Sequence, residues 1–215
     1  MVISKVNLLT KNRYEIYIDE KLAFVLYKGE LCKYGIKEGL DISEELYIDI
    51  VKNTLYKRAL LRCTHLLERR DYTSYELYKK LKDGAYPLDA ADYAINKLIS
   101  YGYVNDESYA KRYIESYISS RSLNRIKQDL YKKGIKSNIF DKAWATLLDE
   151  GVESDEEELI IRLLEKRKYF EKISNIKNSD DSREELVKEY NKQFNYLMTK
   201  GFKVENIKNA LKIKE

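Results

Sequence analysis

The side chains that could bind a metal ion or transfer a proton are few in this chain. The one histidine, His65, stands two residues from Cys63, and residues at that spacing on a helix point to different faces, so joint metal ligation is disfavoured. Cys32 lies 31 residues before Cys63, which fits neither a metal-binding nor a redox spacing. The sequence has no glycine-rich phosphate loop and no nucleophile elbow. We therefore predict no catalytic residues, no metal site and no cofactor, and a protein that acts by binding and not as an enzyme.

Basic side chains are the more informative group, because they are concentrated in two stretches. Residues 57–82 contain eight basic and three acidic residues, and residues 121–136 contain six basic and one acidic, so each has a net charge of +5. The whole chain has a net charge of only +4. Each stretch could be an ordinary solvated helix face, or the two could together bind phosphates or an acidic protein groove. The candidate contact residues are Arg69, Arg70, Arg112, Arg121, Arg125, Lys132 and Lys133.

The elements that must position these side chains begin with strands. Apolar and polar residues alternate on both sides of the short polar segment Asp19–Lys21, which is the pattern of a β-hairpin. Residues 2–9 could add a third strand. Ser43, followed by two glutamates, is typical of a helix start. It predicts a long helix that ends near residue 70, and only helices are predicted after it.

An internal repeat organises the helical part of the chain. A leucine is followed at offsets of 4, 5, 10, 13 and 14 by a small residue, a large apolar residue, another apolar residue, an alanine and a large apolar residue. The pattern occurs at Leu81, Leu130 and Leu197. The small residue would end one helix at a sharp turn, and the alanine would allow the next helix to approach closely. The two basic stretches occupy equivalent places in the first two copies.

Each copy of the repeat predicts a unit of three helices. The predicted helices span about 46–70, 74–82 and 88–101; then 106–119, 123–133 and 137–149; then 155–170, 184–200 and 204–213. The predicted domains are a β-rich extension over 1–42 and three-helix units over 43–104, 105–152 and 153–215. The third copy is 18 residues further along than the spacing of the first two requires, which predicts an insertion near 170–183 with a loop at 178–182. The predicted fold class is mostly α: tandem three-helix repeat units forming an elongated array, with a small N-terminal β-hairpin or three-stranded sheet.

Several segments of this pattern resemble the RecX family, regulatory proteins that modulate the RecA recombinase. The resemblance is carried by residues 66–77 (LLERRDYTSYEL), 98–106 (LISYGYVND), 109–113 (YAKRY) and 126–135 (IKQDLYKKGI). It is good over roughly residues 55–150 and looser beyond. Ala85 departs from it, because the family usually has glycine there, and so does the insertion in the third unit.

This resemblance implies tandem three-helix units and a non-enzymatic partner, the RecA–DNA filament. It implies a mainly inhibitory effect on filament growth and on the ATPase, recombinase and co-protease activities of RecA in DNA repair and the SOS response. Single- or double-stranded DNA is a further candidate partner. The alternative is a stand-alone helical DNA-binding module that does not depend on RecA.

The remaining expectations concern where the protein acts. No apolar run approaches the roughly 18 residues that a membrane span requires, and residues 1–14 lack the pattern of a signal peptide. Two cysteines outside any bridging pattern are compatible with a reducing compartment. We expect a monomeric, cytoplasmic protein with no membrane association.

Overall fold

The computed structural model describes residues 1–177 and 182–212, and the chain divides into two compact units, Met1–Asp106 and Glu107–Glu215. The strands are β1 (Ile3–Thr10), β2 (Arg13–Ile18) and β3 (Lys21–Tyr27). The helices of the first unit are α1 (Lys28–Tyr34), α2 (Glu44–Ile50), α3 (Tyr56–Leu67), α4 (Ser74–Asp83) and α5 (Leu88–Ser100). The later helices are α6 (Asp106–Tyr117), α7 (Leu123–Lys132), α8 (Ser137–Asp149), α9 (Glu156–Lys166), α10 (Tyr169–Lys177), α11 (Ser182–Thr199) and α12 (Val204–Lys212).

The N-terminal strands form one antiparallel sheet in the order β1-β2-β3, which confirms the predicted three-stranded form. The turn between β2 and β3 has positive φ at Asp19 (47°) and Glu20 (64°), the conformation of a tight hairpin turn. Ile16 and Phe24 are fully buried and belong to the same hydrophobic core as Leu55 and the later helices of the first unit. The sheet is therefore an integral layer of the first unit and not a separate appendage.

The long helix predicted to end near residue 70 is present, but one turn of it is wider than an α-helix. α2 continues through a π-helical segment, Val51–Leu55, directly into α3. Val51, Thr54 and Leu55 are all buried, and the Thr54 hydroxyl lies 2.7 Å from the hydroxyl of Tyr34 on α1. Their i, i+3, i+4 spacing is also that of one face of a regular α-helix, so the sequence pattern contains no signal for the wider turn.

The three copies of the predicted repeat share one kind of helix-ending turn. The residue five positions after the leucine donates its backbone N–H to the leucine carbonyl, at 3.1 Å after Leu81, 3.0 Å after Leu130 and 3.4 Å after Leu197. The residue before that donor has a positive φ in each case: 54° at Ala85, 84° at Gly134 and 85° at Gly201. These are Schellman turns, and all three leucines are fully buried. The tandem three-helix organisation is confirmed.

The single helix predicted over 155–170, just before the predicted insertion, is not continuous. The chain there forms two helices, α9 and α10, because Lys168 adopts a left-handed conformation with φ of 57°. Tyr169 follows and is buried in the core of the third group of helices, which fixes the break. Neither glycine nor proline occurs at this position, so no local signal predicts the end of a helix there. Residues 178–181 of the predicted loop at 178–182, and residue 213 of the predicted helix 204–213, lie outside the described residues.

Candidate functional site

The site is built around the N-terminus of α7, in the second unit. Ser122 caps this helix, since its Oγ accepts the backbone N–H of Arg125 at 3.2 Å. The same hydroxyl donates to the backbone carbonyl of Lys200 at 2.8 Å, in the turn between α11 and α12. The Leu123 N–H is bound by the carboxylate of Glu156, at the start of α9, at 2.9 Å. The basic helix α7 is therefore held firmly against the third group of helices.

A cleft of about 640 Å³ opens beside this contact, and four of the seven predicted residues line it. Arg125 and Lys132 lie two helical turns apart on one face of α7, and Arg121 immediately precedes the capping residue Ser122. Lys133 lines the cleft as well. The opposite wall comes from α9 and the α11–α12 turn and adds a fifth cation, Lys200.

One carboxylate orders the two arginines of the cleft. Asp129, whose side chain is 14% exposed, accepts Arg121 Nη1 at 2.9 Å and lies 3.4 Å from Arg125 Nε. Arg121 also donates to the Tyr113 hydroxyl at 3.2 Å and stacks 4.0 Å above the centre of the Tyr117 ring. Among the residues that line the cleft, five cations therefore face a single carboxylate, so the cleft has a net positive charge suited to an anionic partner.

The Tyr113 hydroxyl is affected by these charges in opposite directions. Burial raises its pKa above the ordinary value, and the negative charge of Asp129 adds to the increase, while Arg121 opposes it. The phenol therefore remains protonated near neutral pH. It is available as a neutral hydrogen-bond donor at the edge of the cleft.

The other three predicted residues do not line this cleft. Arg69 and Arg70 lie in the first unit, after α3; Arg69 is exposed, and Arg70 stacks 3.7 Å above the centre of the Tyr72 ring and lies 3.7 Å from a carboxylate oxygen of Glu76. Arg112 is exposed on α6. Of the seven predicted residues, four therefore form one cluster in the cleft, and the other three lie outside it.

Lys200 is the cleft residue that sequence reasoning missed. Its backbone carbonyl receives the Ser122 hydroxyl across 78 residues of chain, and no local pattern connects the two positions. The signal that could have found it is the repeat itself, because Lys200 immediately precedes the turn glycine Gly201. If the turn of the third repeat copy is placed against the helix cap of the second copy, Lys200 comes next to the basic residues of α7.

Metal-binding side chains and the two cysteine thiols are the other groups with possible chemistry. Within residues 1–177 and 182–212, no cluster of three or more metal-binding side chains occurs. Cys63 is fully buried, and burial raises the pKa of its thiol to about 11, so it is an unreactive neutral thiol at neutral pH. Over the same described residues, no helix is both long enough and apolar enough to span a bilayer.

The fold and cleft define a class of tandem three-helix proteins, and comparisons with known proteins identify the family. Residues 59–98 match the first three-helix domain of RecX, and residues 105–143 match the second. Regulatory protein RecX of Caldanaerobacter subterraneus subsp. tengcongensis is 32% identical over 203 residues, which cover 94% of this chain and 93% of that protein. Regulatory protein RecX of Clostridioides difficile is 28% identical, with 98% and 94% covered.

Solved structures agree with the sequence comparison. A crystal structure of regulatory protein RecX has a TM-score of 0.58 and 26% identity, and the match covers 96% of this chain and 97% of that one. The structure of RecX from Lactobacillus salivarius has a TM-score of 0.57 and 25% identity, with 74% of this chain and 96% of that one covered. The chain belongs to the RecX family.

Proposed function

We propose that this protein binds the RecA–DNA nucleoprotein filament and restrains its growth, which lowers the ATPase, recombinase and co-protease activities of RecA. It acts by occupying a surface and not by catalysing a reaction. The observation that carries the proposal is the cleft beside α7, where five cations face one carboxylate in a chain of the RecX family.

The physical basis is charge complementarity. A nucleoprotein filament presents phosphates and acidic side chains repeatedly along its length, and a net positive cleft attracts either. Lys132 and Lys200 form no ion pair with any carboxylate of the described residues, so their ammonium groups are available to a partner. Arg121 and Arg125 differ, because they hold Asp129 and contribute to the wall of the cleft itself.

The two lysines therefore provide a test that leaves the fold intact. We expect the wild-type protein, added in substoichiometric amounts, to lower the DNA-dependent ATPase rate of RecA and to shorten its filaments. The double variant Lys132→Glu, Lys200→Glu should require at least about tenfold more protein for the same inhibition, since each reversal replaces an attraction by a repulsion. The matched control is Lys142→Glu, Lys208→Glu, which reverses two exposed lysines of the same unit that do not line the cleft.

The outcomes separate the proposal from its alternative. An unchanged RecA ATPase rate and filament length with the wild-type protein would remove the RecA proposal. Steeply salt-dependent DNA binding in the absence of RecA, combined with that result, would favour the stand-alone DNA-binding module. Equal loss of inhibition in the test and control variants would show that the cleft has no special role.

A further inference from the structure

The first unit contains a second basic pocket that the proposed function does not use. It has a volume of about 360 Å³ and is lined by Arg13, Arg58, Arg62 and Lys80, with Asp83 as the one carboxylate. Tyr27, Gly84 and Tyr86 complete the lining. We propose that this pocket is a binding site for a phosphate group.

Three parts of the chain meet to form the pocket. Arg13 begins β2 and is paired in the sheet with Tyr27, at the end of β3. Arg58 and Arg62 are one helical turn apart on α3, while Lys80 lies on α4 just before the turn of the first repeat copy. The segments are far apart in sequence, so the cations converge only because the sheet packs on the helices of the first unit. The N-terminal strands therefore contribute part of the site.

The wall of the pocket is held in place by Arg58. Its Nη1 donates to the carbonyl of Val25 at 3.1 Å and to Glu30 at 2.8 Å, and both side chains of this ion pair are less than one-fifth exposed. The guanidinium also stacks over two rings, at 4.4 Å from the centre of Tyr27 and 5.7 Å from that of Tyr86. These contacts fix the geometry of the pocket before any ligand arrives, which reduces the entropy lost on binding.

The remaining cations are short of partners. Arg13 Nε is buried and has no hydrogen-bond partner, and it is the one such buried side-chain atom among the described residues. A buried donor without a partner destabilises the folded protein, so Arg13 gains free energy by turning towards an acceptor that enters the pocket. No carboxylate of the described residues lies within ion-pair distance of Arg62 or Lys80. The pocket thus has donors and positive charge in excess of what the protein itself satisfies.

A phosphate group fits these features better than a protein carboxylate. Its tetrahedral oxygens can accept hydrogen bonds from several directions at once, and arginine forks match them well. It carries up to two negative charges, which matches the net charge of +2 that remains once Arg58 is paired with Glu30 and Asp83 is counted against the other three cations. An acidic polypeptide would instead need an extended track, whereas this pocket is small and concave. The phosphate could belong to a small phosphate ester or to a polynucleotide backbone, and the chemistry of recognition is the same.

The test uses the full chain and isothermal titration calorimetry with three probes: inorganic pyrophosphate, a short oligothymidylate and hexaglutamate. We expect pyrophosphate or the oligonucleotide to bind the wild-type protein. Arg62→Glu and Lys80→Glu should each weaken that binding about tenfold or more, because each removes a charged contact and adds a repulsion. Both residues are exposed, so the variants should fold normally.

Neighbouring lysines provide matched controls on the same helices. Lys57→Glu on α3 and Lys79→Glu on α4 make equivalent charge changes at exposed positions outside the pocket, and should leave binding unchanged. The same titrations are repeated in the Lys132→Glu, Lys200→Glu background, which weakens anion binding at the cleft beside α7. The phosphate binding that remains there, and that Arg62→Glu or Lys80→Glu then weakens, belongs to the pocket of the first unit.

Each result decides the matter. Binding of pyrophosphate alone supports a small phosphate ester, and tighter binding of the oligonucleotide supports a polynucleotide. Absence of binding by both phosphate probes, equal affinity for hexaglutamate, or equal weakening by the control variants would overturn the proposal. Inhibition of RecA is measured separately, so failure here leaves the proposed function untouched.

Discussion

At the scale of single residues, Gly201 occupies a crowded position in the second unit. A Cβ placed there would lie 2.9 Å from the Ser122 hydroxyl oxygen and 3.2 Å from the Arg125 backbone nitrogen. Because Ser122 is fully buried and bonded on both sides, it has little freedom to move away. The φ of Gly201, 85°, also disfavours any residue with a side chain. The glycine thus serves both its own turn and the contact that carries the cleft.

We expect Gly201→Ala to lower the free energy of unfolding by about 3 kcal/mol. Roughly 1–2 kcal/mol comes from the left-handed backbone, and the rest comes from the forced contact with Ser122. Gly151→Ala is the matched control, since Gly151 has φ of 84° in the same kind of turn, but a Cβ there meets nothing within 4 Å. It should lose only the backbone part.

Urea unfolding followed by circular dichroism measures both variants. Equal destabilisation by the two substitutions would mean that close contact with Ser122 contributes nothing. We also expect Gly201→Ala, unlike Gly151→Ala, to weaken inhibition of RecA if the cleft binds the filament, because the displaced turn carries Lys200.

At the scale of elements, the Schellman turns of the three repeat copies show how one structure tolerates different residues. Gly134 and Gly201 adopt the left-handed conformation easily, whereas Ala85 must do so with a side chain, at φ of 54°. The neighbouring Gly84 does not substitute for it, because its φ is negative. The first turn therefore contains local strain that the other two lack.

Ala85→Gly should stabilise the protein by about 0.5–1 kcal/mol. It relieves roughly 1–2 kcal/mol of left-handed strain, part of which is offset by the greater freedom of glycine in the unfolded chain. Ala145→Gly, at an exposed position within α8, should do the reverse and destabilise by about 1 kcal/mol. Thermal unfolding of the two variants gives opposite shifts if this account is right. A lower midpoint for Ala85→Gly would contradict it.

Elements with a periodic or capping signal were predictable, and those fixed by tertiary contacts were not. The strands, the repeat turns and the helix start at Ser43 follow from local patterns, because alternation and capping act over a few residues. The π-helical turn and the break at Lys168 have no such signal, and only the packing of buried side chains such as Tyr169 determines them.

The candidate site divides in the same way. The four clustered cations lie on α7 or next to its ends, so their closeness follows from their nearness in sequence. Lys200 and the pocket around Arg13 could not, because each joins segments far apart in the chain. Basic composition predicted that anions are bound, but only the fold shows which cations act together.

At the scale of the whole molecule, the modest net charge conceals how the charge is distributed. The formal charge is only +4, yet each unit contains a cavity in which cations exceed carboxylates by at least three. Acidic residues are concentrated elsewhere, with seven between Asp149 and Glu158. Such segregation lets a nearly neutral protein bind polyanions locally, without the non-specific attraction of a strongly basic one.

This distribution predicts the salt dependence of filament binding. If the lysines of the cleft contact phosphates of the filament, the affinity should fall as salt rises, because bound counterions are released. Replacing Lys132 and Lys200 together by glutamine should then make the slope of log affinity against log salt shallower by about 2. Lys142→Gln, Lys208→Gln should retain the wild-type slope. Fluorescence anisotropy with labelled RecA–DNA filaments at several salt concentrations measures all three proteins, and an unaltered slope in the cleft variant would show that its lysines do not contact the phosphates.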